Sequence, residues 1–108
     1  MEAVRREILQ SFWKIHVLHH AADGPVYGQW MLKELLKHGY DVSPGTLFPM
    51  LARMEERGWL RSESDPDAGS RARKDYYLTD RGRAALEIAR TQLDELKAEL
   101  DEKPPDES

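Results

Sequence analysis

A chain of 108 residues with no cysteine and a formal net charge of −4 is expected to form one domain with a modest core, small enough that a second subunit would help to bury apolar surface. The absence of cysteine excludes disulfides, thiolate metal sites and cysteine nucleophiles, and fits a reducing compartment. No apolar run approaches membrane-spanning length and the N-terminus is charged where a secretory signal would be apolar, so a cytoplasmic location with no membrane partner is expected.

In chain order, Val4, Ile8, Phe12, Ile15, Val17 and Leu18 predict a first helix over about Val4 to Ala22, buried on more than one side. Asp23-Gly24-Pro25 stops it. Tyr27, Met31, Leu32, Leu35 and Leu36 predict a second, amphipathic helix from Tyr27 to His38, closed by Gly39. A third begins at Ser43, whose hydroxyl is suited to capping, with Pro44 at the first helical position, and runs to about Arg57 before Gly58. Leu47, Met50, Leu51 and Met54 form its apolar face, leaving Thr46, Phe48, Pro49 and Arg53 free for a partner. Pro49 crowds the carbonyl of Gly45, which predicts a bend near the start.

After Gly58 the helical period disappears. Trp59 to Ser64 and the aromatic-rich segment Arg73 to Leu78 predict two strands, joined through Asp65-Pro-Asp-Ala-Gly-Ser70 as a hairpin with a long, mobile tip. Thr79 caps a last helix in which Leu86, Ala89, Leu93, Leu96 and Leu100 make a narrow seam suited to packing against another helix. The fold class is thus mainly α with a β-hairpin wing: a winged helix-turn-helix over residues 1–78, a C-terminal dimerisation helix over 79–102, and a disordered tail over 103–108.

Charge is distributed unevenly. From Gly69 to Arg83 there are five basic residues against two acidic ones, and from Glu87 to Ser108 three against eight, so an anionic partner would meet the first segment. An exposed third helix is suited to the DNA major groove, where base edges differ, while Arg71, Arg73 and Lys74 beside the hairpin tip are suited to phosphates. Ser43 and Thr46 offer hydroxyls, and Phe48 an apolar contact for a thymine methyl. The plainer alternatives are a solvated helix face, a solvated loop and a leucine seam that packs on the chain's own first helix.

These residues also carry a resemblance. Tyr27-Gly28, Gly39-Tyr40, Val42-Ser-Pro-Gly-Thr-Leu-Phe-Pro49, Leu51, Arg53, Glu55, Gly58, Leu60, Arg73-Lys74, Tyr76-Tyr77-Leu78-Thr79 and Gly82 closely resemble the PadR family of bacterial transcriptional regulators. The resemblance implies a homodimeric winged-helix repressor that binds a two-fold operator on double-stranded DNA, dimerises through its first and last helices and is released by an effector. The candidate DNA-binding residues are Ser43, Pro44, Thr46, Phe48, Arg53, Arg71, Arg73 and Lys74. At one position the chain departs: the family usually has tyrosine where Phe48 stands, so a phosphate-binding hydroxyl is lost.

His16, His19 and His20 are a candidate metal set, because His16 shares a helix face with either of the others. They equally suit a half-buried polar patch or a pH-sensitive contact. Val17 occupies the position of the glutamate in a zinc-protease motif, leaving no base for hydrolysis. His38 reads as a partner of the second helix's dipole. Trp13 and Trp30 suit either the core or a pocket for a flat aromatic effector. No cofactor is required, and a divalent metal and a small aromatic compound stand as candidate effectors. Without a nucleophile beside a base or a glycine-rich phosphate loop, the chain is not expected to be an enzyme. The alternative to a DNA-binding regulator is a metal-binding or protein-interaction winged-helix module without operator binding.

Overall fold

The apolar face of the third helix fixes its placement. In the computed structural model, which describes residues 1–64, 67 and 73–102, that helix is α3 (Pro44–Glu56), after α1 (Glu2–Asp23) and α2 (Gly28–Lys37). Leu47, Met50, Leu51 and Met54 are each at most 2% exposed. Burying four such side chains contributes about 6–12 kcal/mol, comparable with the net stability of a whole small domain. The opposite face of α3 is therefore held outward. Around it the core gathers Trp13, Val17, Leu18 and Ala21 of α1, Met31 and Leu35 of α2, and Leu60, Tyr76 and Leu86 beyond.

Strands β1 (Leu60–Ser64) and β2 (Lys74–Leu78) pair antiparallel, with Leu60 opposite Leu78 and Ser64 opposite Lys74. The expected hairpin tip between them, with Arg71, lies outside the described residues except for Asp67. Val26 forms an additional bridge to Tyr76, exchanging both backbone hydrogen bonds at 3.0 and 2.7 Å. A single bridging residue after Pro25 is too short to show a strand period. Glu55 ties α3 to the wing, accepting from the backbone N–H of Ser62 at 3.1 Å and from its hydroxyl at 2.5 Å.

The last helix, α4 (Asp80–Asp101), begins as expected: the Thr79 hydroxyl oxygen accepts from the Gly82 N–H at 2.9 Å. Gly82 sits so close to the wing that a Cβ there would strike the Trp59 carbonyl oxygen and approach Leu78 Cδ1 to 2.7 Å. The expected tail over 103–108 lies outside the described residues.

Two expectations are corrected. Ser43 does not cap α3 with its side chain; its hydroxyl donates to Thr46 Oγ1 at 3.2 Å, while its carbonyl accepts from the N–H groups of Thr46 and Leu47. Nor is α1 buried on more than one side along its whole length: from Trp13 to Ala21 only His19 is exposed, whereas Val4, Ile8 and Phe12 in the first half are 52%, 60% and 37% exposed. A 22-residue helix is about 33 Å long, and its buried residues begin only at Trp13. The radius of gyration is 16.7 Å, above the roughly 13 Å of a compact chain of this length.

Candidate nucleic-acid interface

Thr46, Phe48, Pro49 and Arg53 lie on the outward side of α3, with Phe48, Pro49 and Arg53 exposed and Thr46 half-buried. Ser43 and Pro44 are exposed at its start, and the bond between the Ser43 and Thr46 hydroxyls orients both at the N-terminal end. Arg53 forms no ion pair among the described residues, so its charge is available to a partner. Pro49 lies within an unbroken helix.

Phe48 is less free than its position in the sequence implies. Its ring lies over Gly28, where a Cβ would collide with ring atoms Cε1 and Cδ1. The glycine at the start of α2 therefore allows α3 to seat an aromatic ring at the helix-turn-helix junction. Phe48 is still 39% exposed, so one edge faces outward while the rest holds α3 against α2.

The base of the wing meets this junction. Tyr27, Gly28, Gln29, Phe48 and Leu51 from the helices, with Arg73, Lys74 and Tyr76 from the wing, line a hollow of about 530 Å³. The Arg73 guanidinium stands 4.2 Å above the Tyr27 ring, and its Nε forms an ion pair with Asp75 Oδ1 at 3.1 Å. This places a cation at the foot of the wing. Lys74 is exposed and makes no ion pair among the described residues, whereas Arg61 is held by Glu63 at 2.6 Å and lies over Tyr77. The structure thus brings Phe48, Arg73 and Lys74 to one concavity beside the outward face of α3, and Arg71 lies outside the described residues. Sequence reasoning did not assign Tyr27 or Gln29 to this surface; the Tyr27-Gly28 pair was the available signal.

The leucine seam of α4 divides. Leu86 is 2% exposed within the chain's own core, Ala89 and Leu93 are half-buried, and Leu96 and Leu100 are 46% and 74% exposed. Leu86 is therefore covered within the chain itself. Between α1 and α4 runs a groove of about 470 Å³ lined by Phe12, Ile15, His16, His19, Leu86, Arg90 and Leu93.

The histidines assemble differently from expectation. His16 and His20 come together with His38 of the α2 C-terminus, one ring nitrogen of each within 4.8 Å of the others, while the exposed His19 is not part of the group. Burial lowers the affinity of His16 and His20 for protons, with His38 the next cause for His16 and His19 for His20; Glu34 acts in the opposite sense on both. The tryptophans do not face each other across one pocket: Trp13 lines a hollow with Arg5, Arg6, Leu9 and Tyr40, and Trp30 packs edge-on against His20 at 5.3 Å. No helix among the described residues is long and apolar enough to cross a membrane.

Residues 17–88 match the transcriptional regulator PadR-like family. Over 95 residues the chain is 50% identical to the transcriptional regulator Rv3488 of Mycobacterium tuberculosis, with 88% of each chain covered. Its fold is similar to that of a PadR family transcriptional regulator from Eggerthella lenta, with a TM-score of 0.74 and 30% identity, covering 94% of this chain and 93% of the other. A PadR-like transcription factor from Bacteroides fragilis shares the fold at a TM-score of 0.78 and 22% identity, covering 92% and 96%.

Proposed function

The chain belongs to the PadR-like family of transcriptional regulators, and from that premise we propose that it acts as a homodimeric repressor that binds a two-fold DNA operator and is released by an effector. The observation that carries this reading is the junction of the outward α3 face with the basic foot of the wing. An α-helix fits the major groove, where Ser43, Thr46 and Arg53 can meet base edges or flanking phosphates. Arg73 and Lys74, held beside it, suit the adjacent phosphate backbone, where they contribute affinity and register but little sequence information. Phe48 is left with two roles, seating α3 on Gly28 and offering its exposed edge to an apolar group such as a thymine methyl.

Homodimerisation is supported by the uncovered apolar residues on α1 and α4. Val4, Ile8 and Phe12 on α1 and Ile88, Leu96 and Leu100 on α4 are exposed. Apolar surface left uncovered along two long helices favours a second copy over solvent. A two-fold dimer would present two α3 helices to successive major grooves, and a change in the angle between protomers would then misalign them. That geometry gives an effector a means of releasing DNA.

Hydroxyl-radical footprinting of the purified protein on the DNA upstream of its own gene tests the reading. Two protected half-sites centred about 34 Å, or one helical turn, apart are expected. Uniform protection without half-sites, or none, would count against a two-fold operator. Loss of the gene should raise transcription from that promoter; an unchanged or lower level would contradict repression.

A further inference from the structure

The side chains that meet between α1 and α2 form a pattern that DNA binding does not use. His16 and His20 stand one helical turn apart on α1, Glu34 of α2 and His38 just past its C-terminal end are likewise four residues apart, and the two pairs face each other. We propose that His16, His20, His38 and the Glu34 carboxylate form a binding site for a first-row transition-metal ion, with zinc as the probe, that joins α1 to the C-terminal end of α2.

Four observations support the assignment. The three imidazoles offer nitrogen atoms within 4.8 Å of one another, and Glu34 Oε1 lies 3.9 Å from His20 Nε2 and 3.6 Å from His38 Nε2. His20 Nε2 is buried and has no hydrogen-bond partner, an arrangement that costs free energy unless something accepts its lone pair or its proton. The rings of His16 and His38 are 5.0 Å apart, and Glu34 is only 15% exposed, so the donors converge at a partly closed site. Three neutral imidazoles and one carboxylate are also the donor types such an ion selects, and four donors complete a tetrahedron.

The three imidazoles are already close to the separation that a shared ion would impose. Ligand bonds of about 2.0–2.1 Å place tetrahedral donors roughly 3.4 Å apart, so the nitrogens need to approach by little more than 1 Å. Side-chain rotation is the movement that closure calls for. The alternative is an ordinary ionic cluster in which Glu34 is shared by Lys37 at 3.5 Å and by protonated histidines. Such a cluster would have no preference for a metal ion.

Occupancy would pin α2, the helix that seats Phe48 through Gly28, onto α1, which carries the uncovered apolar residues. As a site the assignment rests on geometry alone; as the effector site it rests on the operator-binding reading, and the two are separated by measurement. Calorimetry of tag-free, chelator-treated protein with Zn²⁺ is expected to show a single ion per chain. His38→Ala, at an exposed helix end, and Glu34→Gln should each weaken binding on the order of 10–100-fold or more, while His19→Ala should not. Circular dichroism of each variant reports whether it has folded. No saturable zinc binding, or equal affinity in His38→Ala and His19→Ala, would overturn the site. Operator DNA affinity is then compared with and without zinc in wild type and His38→Ala. A zinc-dependent change confined to wild type supports the effector role, and zinc binding with unchanged DNA affinity overturns that role while leaving the site. Absence of operator binding under every condition would overturn the operator-binding reading, and calorimetry alone would still decide the site.

Discussion

The sharpest consequence of the uncovered α4 seam concerns the double variant Leu96→Ala, Leu100→Ala. In the single chain these side chains are 46% and 74% exposed, together a little more than one whole leucine side chain held in water. Burial of a leucine is worth about 2 kcal/mol, so a two-fold interface covering both would gain roughly 5 kcal/mol from the two protomers. At about 1.4 kcal/mol per tenfold, removing these side chains should weaken the dimer on the order of 10³-fold. The fold itself should be unaffected, because neither residue belongs to the core. Sedimentation equilibrium over a concentration series measures the dissociation constant, and circular dichroism checks the helices. A dimer equally tight in the variant would refute the assignment of the α4 surface. A monomeric wild type would refute it also.

Further perturbations test the packing that positions the site. Gly82→Ala drives a methyl group into the Trp59 carbonyl and should destabilise the fold by about 1–3 kcal/mol in urea unfolding. Thr79→Ala removes the cap of α4 and should cost about 1 kcal/mol in the same assay. Gly28→Ala places a methyl group in the Phe48 ring and should lower both stability, by about 1–3 kcal/mol, and DNA affinity; unchanged affinity would show that Phe48 does not set the pose of α3. Burial holds His16 and His20 below the usual histidine value of 6.5, so the unfolded chain binds protons more readily. In metal-free protein their contribution to stability is fully present above that pH and is lost as pH falls through the lowered folded values. The urea midpoint should drop between about pH 7.5 and about pH 5.5 and should drop less in His20→Gln.

The legible parts of the fold were those written in local pattern. Ser43-Pro44 marked the start of α3, and the spacing of Leu47, Met50, Leu51 and Met54 marked which face it buries, because helical period and burial coincide there. Thr79 and the aromatic run before it marked the entry to α4 and the second strand. What sequence could not supply was the meeting of distant elements. The Val26 bridge is one residue long and carries no period of its own. His38 and Glu34 join His16 and His20 only through the packing of α2 on α1, so adjacency on the chain pointed to His19 instead. The outer half of α1 looked like core because its apolar residues have helical spacing, and spacing does not say whether the chain or a partner covers them. Arg73 counted as charge beside the hairpin tip, but Tyr27 and Asp75 hold it at the foot of the wing.

The central claim is that α3 and the foot of the wing form a single DNA-binding surface. Fluorescence anisotropy with the upstream DNA, over a series of salt concentrations, measures it for wild type, Arg53→Ala and the Arg73→Ala, Lys74→Ala double variant. Tight, steeply salt-sensitive binding is expected of the wild type. In the wing variant the slope of log affinity against log salt should fall by about 0.9 for each phosphate that its side chains no longer neutralise. Wild-type binding no tighter than to random DNA, or a wing variant with unchanged affinity and slope, would contradict the claim.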